Sequence, residues 1–166
     1  MPNLILSHTL RAGLTTSLML AAMAGAAVAG PYEDGVAAYV RGDYATALRL
    51  MRPFADQGLA AAQNNLGLMY YSGQGVPQDY AEAMKWYRLA ADQGNAPAQN
   101  DLGALFFMGQ GVPQDFVLAH MWFDLSATQG DQDATENRDL AERRMTPEQI
   151  AEAQKLAREW KPKPER

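Results

Sequence analysis

Apolar residues recur at helical spacing in two neighbouring stretches of the chain, residues 60–71 and 80–93. Gly73, Gly75 and Pro77 end the first stretch, and Asp79 is a suitable N-cap for the second. The pattern predicts a pair of helices joined by a short glycine-containing loop. The apolar residues fall every three or four positions, which places them on one helix face: Ala62, Leu66 and Tyr70, then Tyr80, Ala83, Tyr87 and Ala90.

The same helix pair is repeated along the chain with a period of 36 residues. The segment GQGVPQD at Gly73–Asp79 occurs again at Gly109–Asp115. A copy with a shorter loop lies upstream and contains Gly35, Tyr39 and Asp43. A repeat of this length is typical of stacked supersecondary units. The positions that define the two full copies are Leu66, Gly67, Tyr70, Gly73, Gly75, Asp79, Ala83, Trp86 and Gly94, followed by Leu102, Gly103, Phe106, Gly109, Gly111, Asp115, Ala119, Trp122 and Gly130.

These observations predict an all-α fold, an α/α solenoid of three helix pairs closed by a fourth pair. Thr146, Pro147 and Gln149 occupy the N-cap, N1 and N3 positions of the last helix, a strong start signal. A terminal pair of this kind covers the last apolar face of a solenoid and turns a polar one to water. The expected segments are repeats at 30–58, 59–94 and 95–130, capping helices at 131–160, and a disordered, proline-rich tail at 161–166.

The glycine-rich loop is interpreted as a spacer between helices and not as a phosphate-binding site. A phosphate-binding loop follows a strand and leads into a helix whose N-terminus receives the anion. Here the loop follows a helix and contains no lysine. Asp79 or Asp115 occupies the helix N-terminus that an anion would need.

Residues 1–29 have the composition of a secretory signal peptide. Arg11 is their only lysine or arginine, they contain no acidic residue, and they end in Ala27-Val28-Ala29. A positive start, an apolar centre and small residues at the end predict export to the periplasm, with cleavage after Ala29 and no stable membrane insertion afterwards. The alternative is an uncleaved membrane anchor, because the uncharged run from Ala12 to Gly30 is just long enough to cross a bilayer.

Charge and cysteine content exclude several classes of function. The 166 residues carry a formal net charge of −5 and contain no basic run, so a nucleic-acid partner is not expected. Cysteine is absent from the sequence, which excludes disulfides and thiolate metal sites. No cofactor is expected.

The sequence offers little catalytic chemistry. Outside the signal segment it has one histidine, His120, and two serines, Ser72 and Ser126. His120 lies at a variable position of its repeat, and we expect it to be partly exposed on its helix rather than a catalytic base. Asp131 and Asp133 lie where a helix start favours acidic residues, so we interpret them as capping groups. A loose calcium site is the alternative.

A candidate binding groove follows from two matching rows of residues on the first helices of the second and third repeats. In each row an amide, an aliphatic residue and an aromatic ring fall at i, i+4 and i+7, which makes one stripe. Such a groove would suit a peptide or a helix from a partner. The alternative is that Tyr71 and Phe107 pack against the adjoining loop, and the sequence does not decide between them. The rows are Asn64, Leu68 and Tyr71, and Asn100, Ala104 and Phe107.

The repeated residues resemble the Sel1-like repeat family, a subclass of tetratricopeptide-like α/α solenoids. The resemblance covers about residues 35–130. The second repeat carries its pattern as Ala62, Leu66-Gly67, Tyr70, Gly73, Gly75-Val76, Asp79, Ala83, Trp86-Tyr87, Ala90-Ala91 and Gly94. The third repeat carries it as Ala98, Leu102-Gly103, Phe106, Gly109, Gly111-Val112, Asp115, Ala119, Trp122-Phe123, Ser126-Ala127 and Gly130.

The resemblance implies a non-catalytic scaffold that binds a protein or peptide partner. Some exported relatives have a disulfide in each repeat, and this chain departs from them because it has no cysteine. Two alternatives remain open: a secreted hydrolase or binder of cell-wall or β-lactam-type ligands, and a membrane-anchored tether of an envelope complex. A homodimer is also open, since a second copy of the chain could close an apolar groove.

Overall fold

The computed structural model describes residues 30–163, and this part of the chain is built from α-helices without strands. The predicted signal segment with its cleavage site at Ala29, and residues 164–166, lie outside the described residues. The helices are α1 (Pro31–Val40), α2 (Tyr44–Asp56), α3 (Ala60–Ser72), α4 (Tyr80–Asp92), α5 (Ala96–Met108), α6 (Phe116–Ala127), α7 (Gln132–Glu142) and α8 (Pro147–Glu159). The predicted all-α repeat fold is confirmed.

The helix ends lie where the capping residues place them. The Asp79 side chain accepts hydrogen bonds from the backbone N–H groups of Ala81 and Glu82 at the start of α4. Gly73 follows α3 with φ 68°, a left-handed conformation that costs a glycine little. At α8 Thr146 and Gln149 form a reciprocal capping box. The sequence signals therefore predict these boundaries to within one or two residues.

Close contact between the two helices of a repeat depends on a glycine in the first helix. The Tyr87 ring of α4 lies so close to Gly67 of α3 that a Cβ atom there would be 2.5 Å from Cδ1. Gly103 and Phe123 repeat this arrangement in α5 and α6, with a corresponding separation of 2.7 Å. Any side chain at these glycines would force the helices apart, since packed interiors leave no slack.

The GQGVPQD loops join each repeat to the preceding one. A Cβ atom on Gly75 would lie 2.9 Å from the Tyr44 carbonyl oxygen at the start of α2, and one on Gly111 would lie 2.7 Å from the Tyr80 carbonyl oxygen. The Asp79 N–H donates to the Tyr70 carbonyl at 2.9 Å, which folds the loop back onto α3. The loop is thus a structural spacer that packs through Gly75 against the preceding repeat, while the Asp79 side chain occupies the N–H groups at the start of α4.

Stacking of cations on tryptophan links successive second helices. The Arg52 guanidinium of α2 lies 5.3 Å from the Trp86 ring centre on α4. Arg88 of α4 has the same relation to Trp122 of α6, also at 5.3 Å. Such pairs contribute about 0.5–1 kcal/mol each at exposed positions. They set the register of neighbouring repeats on the side of the molecule formed by the second helices.

The C-terminal helices close the solenoid in two different places. Helix α7 packs against α6 and also touches α5, whereas α8 packs against α6. Trp160 follows α8 and makes an edge contact with the Trp122 ring at 6.0 Å. Lys163 then donates its backbone N–H and its Nζ to Asp92, each at 2.7 Å. Lys163 belongs to the tail at 161–166 that the sequence predicts to be disordered, and these two hydrogen bonds connect it to the end of α4.

Replacing Gly67 with alanine tests the helix–helix contact. We expect Gly67→Ala to lower the free energy of unfolding by about 1–3 kcal/mol through overpacking, although alanine alone favours a helix. Urea denaturation of both proteins measures the change. The loss should shrink in a Tyr87→Ala background, where the added methyl has room. An equal loss in that background would show that the ring contact is not the cause.

Candidate functional site

The first helices of the repeats, α1, α3 and α5, form one row with α7, and we call the surface of this row the inner face. Side chains connect neighbouring helices across it. Asn65 of α3 donates to the Tyr32 hydroxyl of α1 at 3.1 Å. Asn137 of α7 donates to Asn100 Oδ1 of α5 at 2.9 Å. The inner face is the surface on which the sequence places a binding groove.

Two of the three groove residues predicted on α3 are partly accessible. Asn64 is 7% exposed, whereas Leu68 and Tyr71 are half-buried. The Tyr71 ring packs on Tyr80 at the start of α4, with 5.4 Å between ring centres. This part of the predicted row reaches the surface through Leu68 and Tyr71.

The three groove residues predicted on α5 are buried. Asn100 and Ala104 are 0% exposed, and Phe107 is 9% exposed. Phe107 packs on Phe116 at the start of α6, with 5.2 Å between ring centres. Phe116 directly follows the adjoining loop, so this contact resembles the alternative in which Phe107 packs against that loop. Asn137 of α7 covers Asn100. The two predicted rows therefore do not form one open groove, because α7 occupies the space in front of the second row.

A polar cluster surrounds Gly67 between α3 and α5, and of its members the sequence pattern singles out Asn64 and Tyr71 as groove residues but not the others. Asn64, Gly67 and Tyr71 lie on successive turns of α3 at i, i+3 and i+7. The Tyr87 ring of α4 packs against Gly67, and its hydroxyl is buried. Asp101 of α5, 3% exposed, contributes a carboxylate. We call Asn64, Tyr71, Tyr87 and Asp101 the inner cluster.

The pKa shifts of Tyr71 and Tyr87 also indicate that the phenols of the inner cluster lie near Asp101. Burial raises the pKa of Tyr87 well above its ordinary value, and the Asp101 carboxylate and the phenols of Tyr71 and Tyr39 raise it further. Burial also raises the pKa of Tyr71, with additional contributions from Tyr80 and Asp101. Asp101 is therefore within electrostatic range of both phenols.

Two polar atoms of the inner cluster are buried without a hydrogen bond. Within residues 30–163 neither Asn64 Oδ1 nor the Tyr87 hydroxyl has a partner. A buried polar atom without a partner costs about 1–3 kcal/mol, so such atoms are uncommon and call for an explanation. The register positions of Tyr87 in the other repeats are Met51 and Phe123, which carry no hydroxyl.

Glutamine pairs account for other buried polar groups in the repeats. Gln93 Nε2 donates to Gln63 Oε1 at 2.8 Å, and Gln129 Nε2 donates to Gln99 Oε1 at 2.8 Å. Gln63 in turn donates to the Ala55 carbonyl at the end of α2. These pairs fix one repeat to the next and are structural.

His120 is buried, so the expectation of a partly exposed side chain is wrong. It is 0% exposed, and its Nε2 lies 2.9 Å from Glu142 Oε1. Helix α7 supplies Glu142 and covers the histidine, which the repeat pattern alone does not reveal. Ser126 donates to the Ala96 carbonyl at 2.7 Å and to Asp131 at 3.0 Å. These partners tie the serine and the histidine to separate structural contacts and not to each other.

The acidic residues near α7 act in capping. Asp131 accepts a hydrogen bond from the Ala134 N–H at 3.1 Å, which confirms its predicted N-cap role, and Asp133 lies in the first turn. Between Gly30 and Lys163, no three histidine, aspartate or glutamate side chains are grouped in a way that could hold a metal ion. No helix of this same part of the chain is both long and apolar enough to span a bilayer.

Comparison with known proteins identifies the family. The Sel1 repeat pattern matches residues 20–59, 60–95 and 96–131, so the chain belongs to the Sel1 repeat family. The matches end one residue after the predicted ends of the repeats, and the first match begins at residue 20 where the prediction begins at residue 30. No curated protein matches the chain. Repeats of this family are generally protein–protein interaction modules, and the family is typically non-catalytic.

Two solved structures share the fold. A protective antigen of uropathogenic Escherichia coli with an SLR fold is 33% identical, with a TM-score of 0.75 over 90% of this chain. A Sel1 repeat protein from Oxalobacter formigenes is 27% identical, with a TM-score of 0.65 over 80% of this chain. The chain spans 32% of the first of these proteins and 55% of the second.

The asparagine pair that holds α7 on the inner face provides a test of the closed third repeat. We expect Asn137→Ala to lower the free energy of unfolding by about 1–3 kcal/mol, because it removes a hydrogen bond between two fully buried side chains. Amide hydrogen exchange should rise in α7 and at Asn100. The exposed neighbour Glu136→Ala is the matched control. Equal effects of the two substitutions would contradict this account.

Proposed function

We propose that this protein is an exported, non-catalytic adaptor that binds a segment of a partner protein on the inner face of its second repeat. The family supports a protein partner. The composition of residues 1–29 supports export, with the periplasm as the destination. The burial of His120 and the separate partners of Ser126 support a role without catalysis.

The choice of the inner face of α3 as the binding surface depends on the position of α7. The inner face of α5 has α7 against it, whereas α7 makes no comparable contact with α3 among residues 30–163. Leu68 and Tyr71 are accordingly half-buried on α3, while their counterparts Ala104 and Phe107 are closed off. Accessible apolar side chains next to buried polar groups are typical of a site that docks a few anchor residues.

The small size of this surface indicates a transient partner. Only Leu68 and Tyr71 of the six predicted groove residues are half-buried, and the other four are buried. An interface built around so short a stretch lies at the lower end of the usual range, where weak and transient complexes are found. We therefore expect micromolar rather than nanomolar affinity.

Site-specific photo-crosslinking tests the adaptor function. A photoreactive residue at Leu68 should capture a discrete envelope protein in living cells. The same residue at Leu89, an aliphatic position of α4 that is 42% exposed, should not capture it. Leu89 is the matched control because its exposed side chain has the same chemistry but lies on another surface.

The captured protein must also bind as a purified component. Calorimetry should give micromolar affinity for the wild type, and Leu68→Asp should weaken binding by about tenfold, since a desolvated carboxylate at an anchor position costs at least 1.4 kcal/mol. Crosslinks that form at Leu89 but not at Leu68, or only between copies of the chain, would refute the proposed surface.

A further inference from the structure

The inner cluster differs from the equivalent positions of the neighbouring repeats in its unsatisfied groups. At the α5–α7 contact, Asn100 Oδ1 accepts from Asn137 at 2.9 Å. At the α1–α3 contact, Asn65 donates to Tyr32 and lies 3.5 Å from Met51 Sδ. At the α3–α5 contact, Asn64 Oδ1 and the Tyr87 hydroxyl remain without partners in the described chain. Among these three contacts between first helices in residues 30–163, the α3–α5 contact is the one with unsatisfied polar atoms; other buried atoms without a partner, such as His120 Nδ1 and Trp122 Nε1, lie elsewhere.

The chemistry of the cluster selects a cation that donates hydrogen bonds. Asn64 Oδ1 is an acceptor, the phenol oxygen of Tyr87 can accept, and Asp101 brings a negative charge nearby. An anion would be repelled by this carboxylate. A calcium or magnesium ion would require about six oxygen ligands, usually several carboxylates, and no such group exists among residues 30–163.

We propose that the inner cluster binds the guanidinium or ammonium group of an arginine or lysine side chain on the partner protein. Asn64 Oδ1 and the Tyr87 hydroxyl accept its hydrogen bonds, Asp101 supplies the opposing charge, and the Tyr71 ring packs along the cation. This inference rests on the proposed function, because the cation belongs to the docked segment. The net charge of −5 also favours a basic partner.

Access to the buried oxygens runs past two side chains. Leu68 and Tyr71 are half-buried on the same face of α3, whereas Tyr87 is 0% exposed and Asp101 is 3% exposed. The cation enters past Leu68, whose side chain its aliphatic stem replaces against α3, and comes to lie beside the Tyr71 ring. Arginine and lysine stems are suited to this, since they bury methylene groups while the charged head makes polar contacts.

The chain itself supplies the substitutions that test the site. Asp101→Asn introduces the residue that occupies the same register position in the preceding repeat, Asn65. Tyr87→Phe introduces the residue of the following repeat, Phe123. Both changes retain shape, so the fold should tolerate them. Glu152→Gln on the exposed surface of α8 is the control for a change in overall charge.

The probe is N-acetyl-arginine methylamide. Its binding to the folded protein is measured by NMR titration. We expect the signals of Asn64, Tyr71 and Tyr87 to shift, with millimolar affinity. The uncharged citrulline analogue should produce no such shifts. Asp101→Asn should weaken binding by about tenfold and Tyr87→Phe by about threefold, as for charged and neutral hydrogen bonds respectively. Glu152→Gln should leave it unchanged.

Thermal unfolding supplies a second readout that separates a binding role from a structural one. Tyr87→Phe should keep or raise the melting temperature, because it removes a buried hydroxyl that has no partner in the described chain. Equal shifts with the citrulline analogue, absence of shifts, or unchanged affinity in Asp101→Asn would overturn the inference. A partner captured at Leu68 alongside any of these results would leave the adaptor function standing.

Discussion

The contact between Gly67 of α3 and the Tyr87 ring of α4 is the constraint on which the rest of the structure depends. With 2.5 Å between the ring and the position of an absent Cβ, only glycine allows the two helices this approach. The close approach brings the loop after α3 within reach of the preceding repeat, where Gly75 lies against the backbone of Tyr44. Tight pairing within a repeat and tight stacking between repeats are thus linked.

Through the same contact, the residue chosen on the second helix affects the chemistry of the inner face. A side chain that crosses the glycine ends next to the first helices, so the residue chosen there changes the chemistry of that face. The three repeats place Met51, Tyr87 and Phe123 at this position. Only the second brings a hydroxyl. Residues that a helical wheel assigns to the core can therefore change the polar groups that are buried beside the first helices.

The fold could be predicted from the sequence because each repeat carries its own local signals. Asp79 and Gly73 act through neighbouring backbone groups, and such contacts are repeated in every unit. The candidate site could not be predicted in the same way. The burial of His120 and Asn100 depends on α7, whose position follows from packing after the last full repeat. The unsatisfied hydroxyl of Tyr87 could not be predicted from the apolar pattern, because the ring that carries it occupies the core.

Closure by α7 makes the inner face of the third repeat different from that of the second, although the two repeats share one sequence pattern. In the third repeat, the inner-face residue Asn100 has its hydrogen-bond partner on the capping helix α7. Asn64, at the same register position one repeat earlier, keeps a buried acceptor that nothing in the described chain satisfies. A cap that satisfied both asparagines would gain stability and leave no unmet hydrogen bond at Asn64. Unmet hydrogen bonds of this kind lower stability and are retained most readily where a ligand completes them.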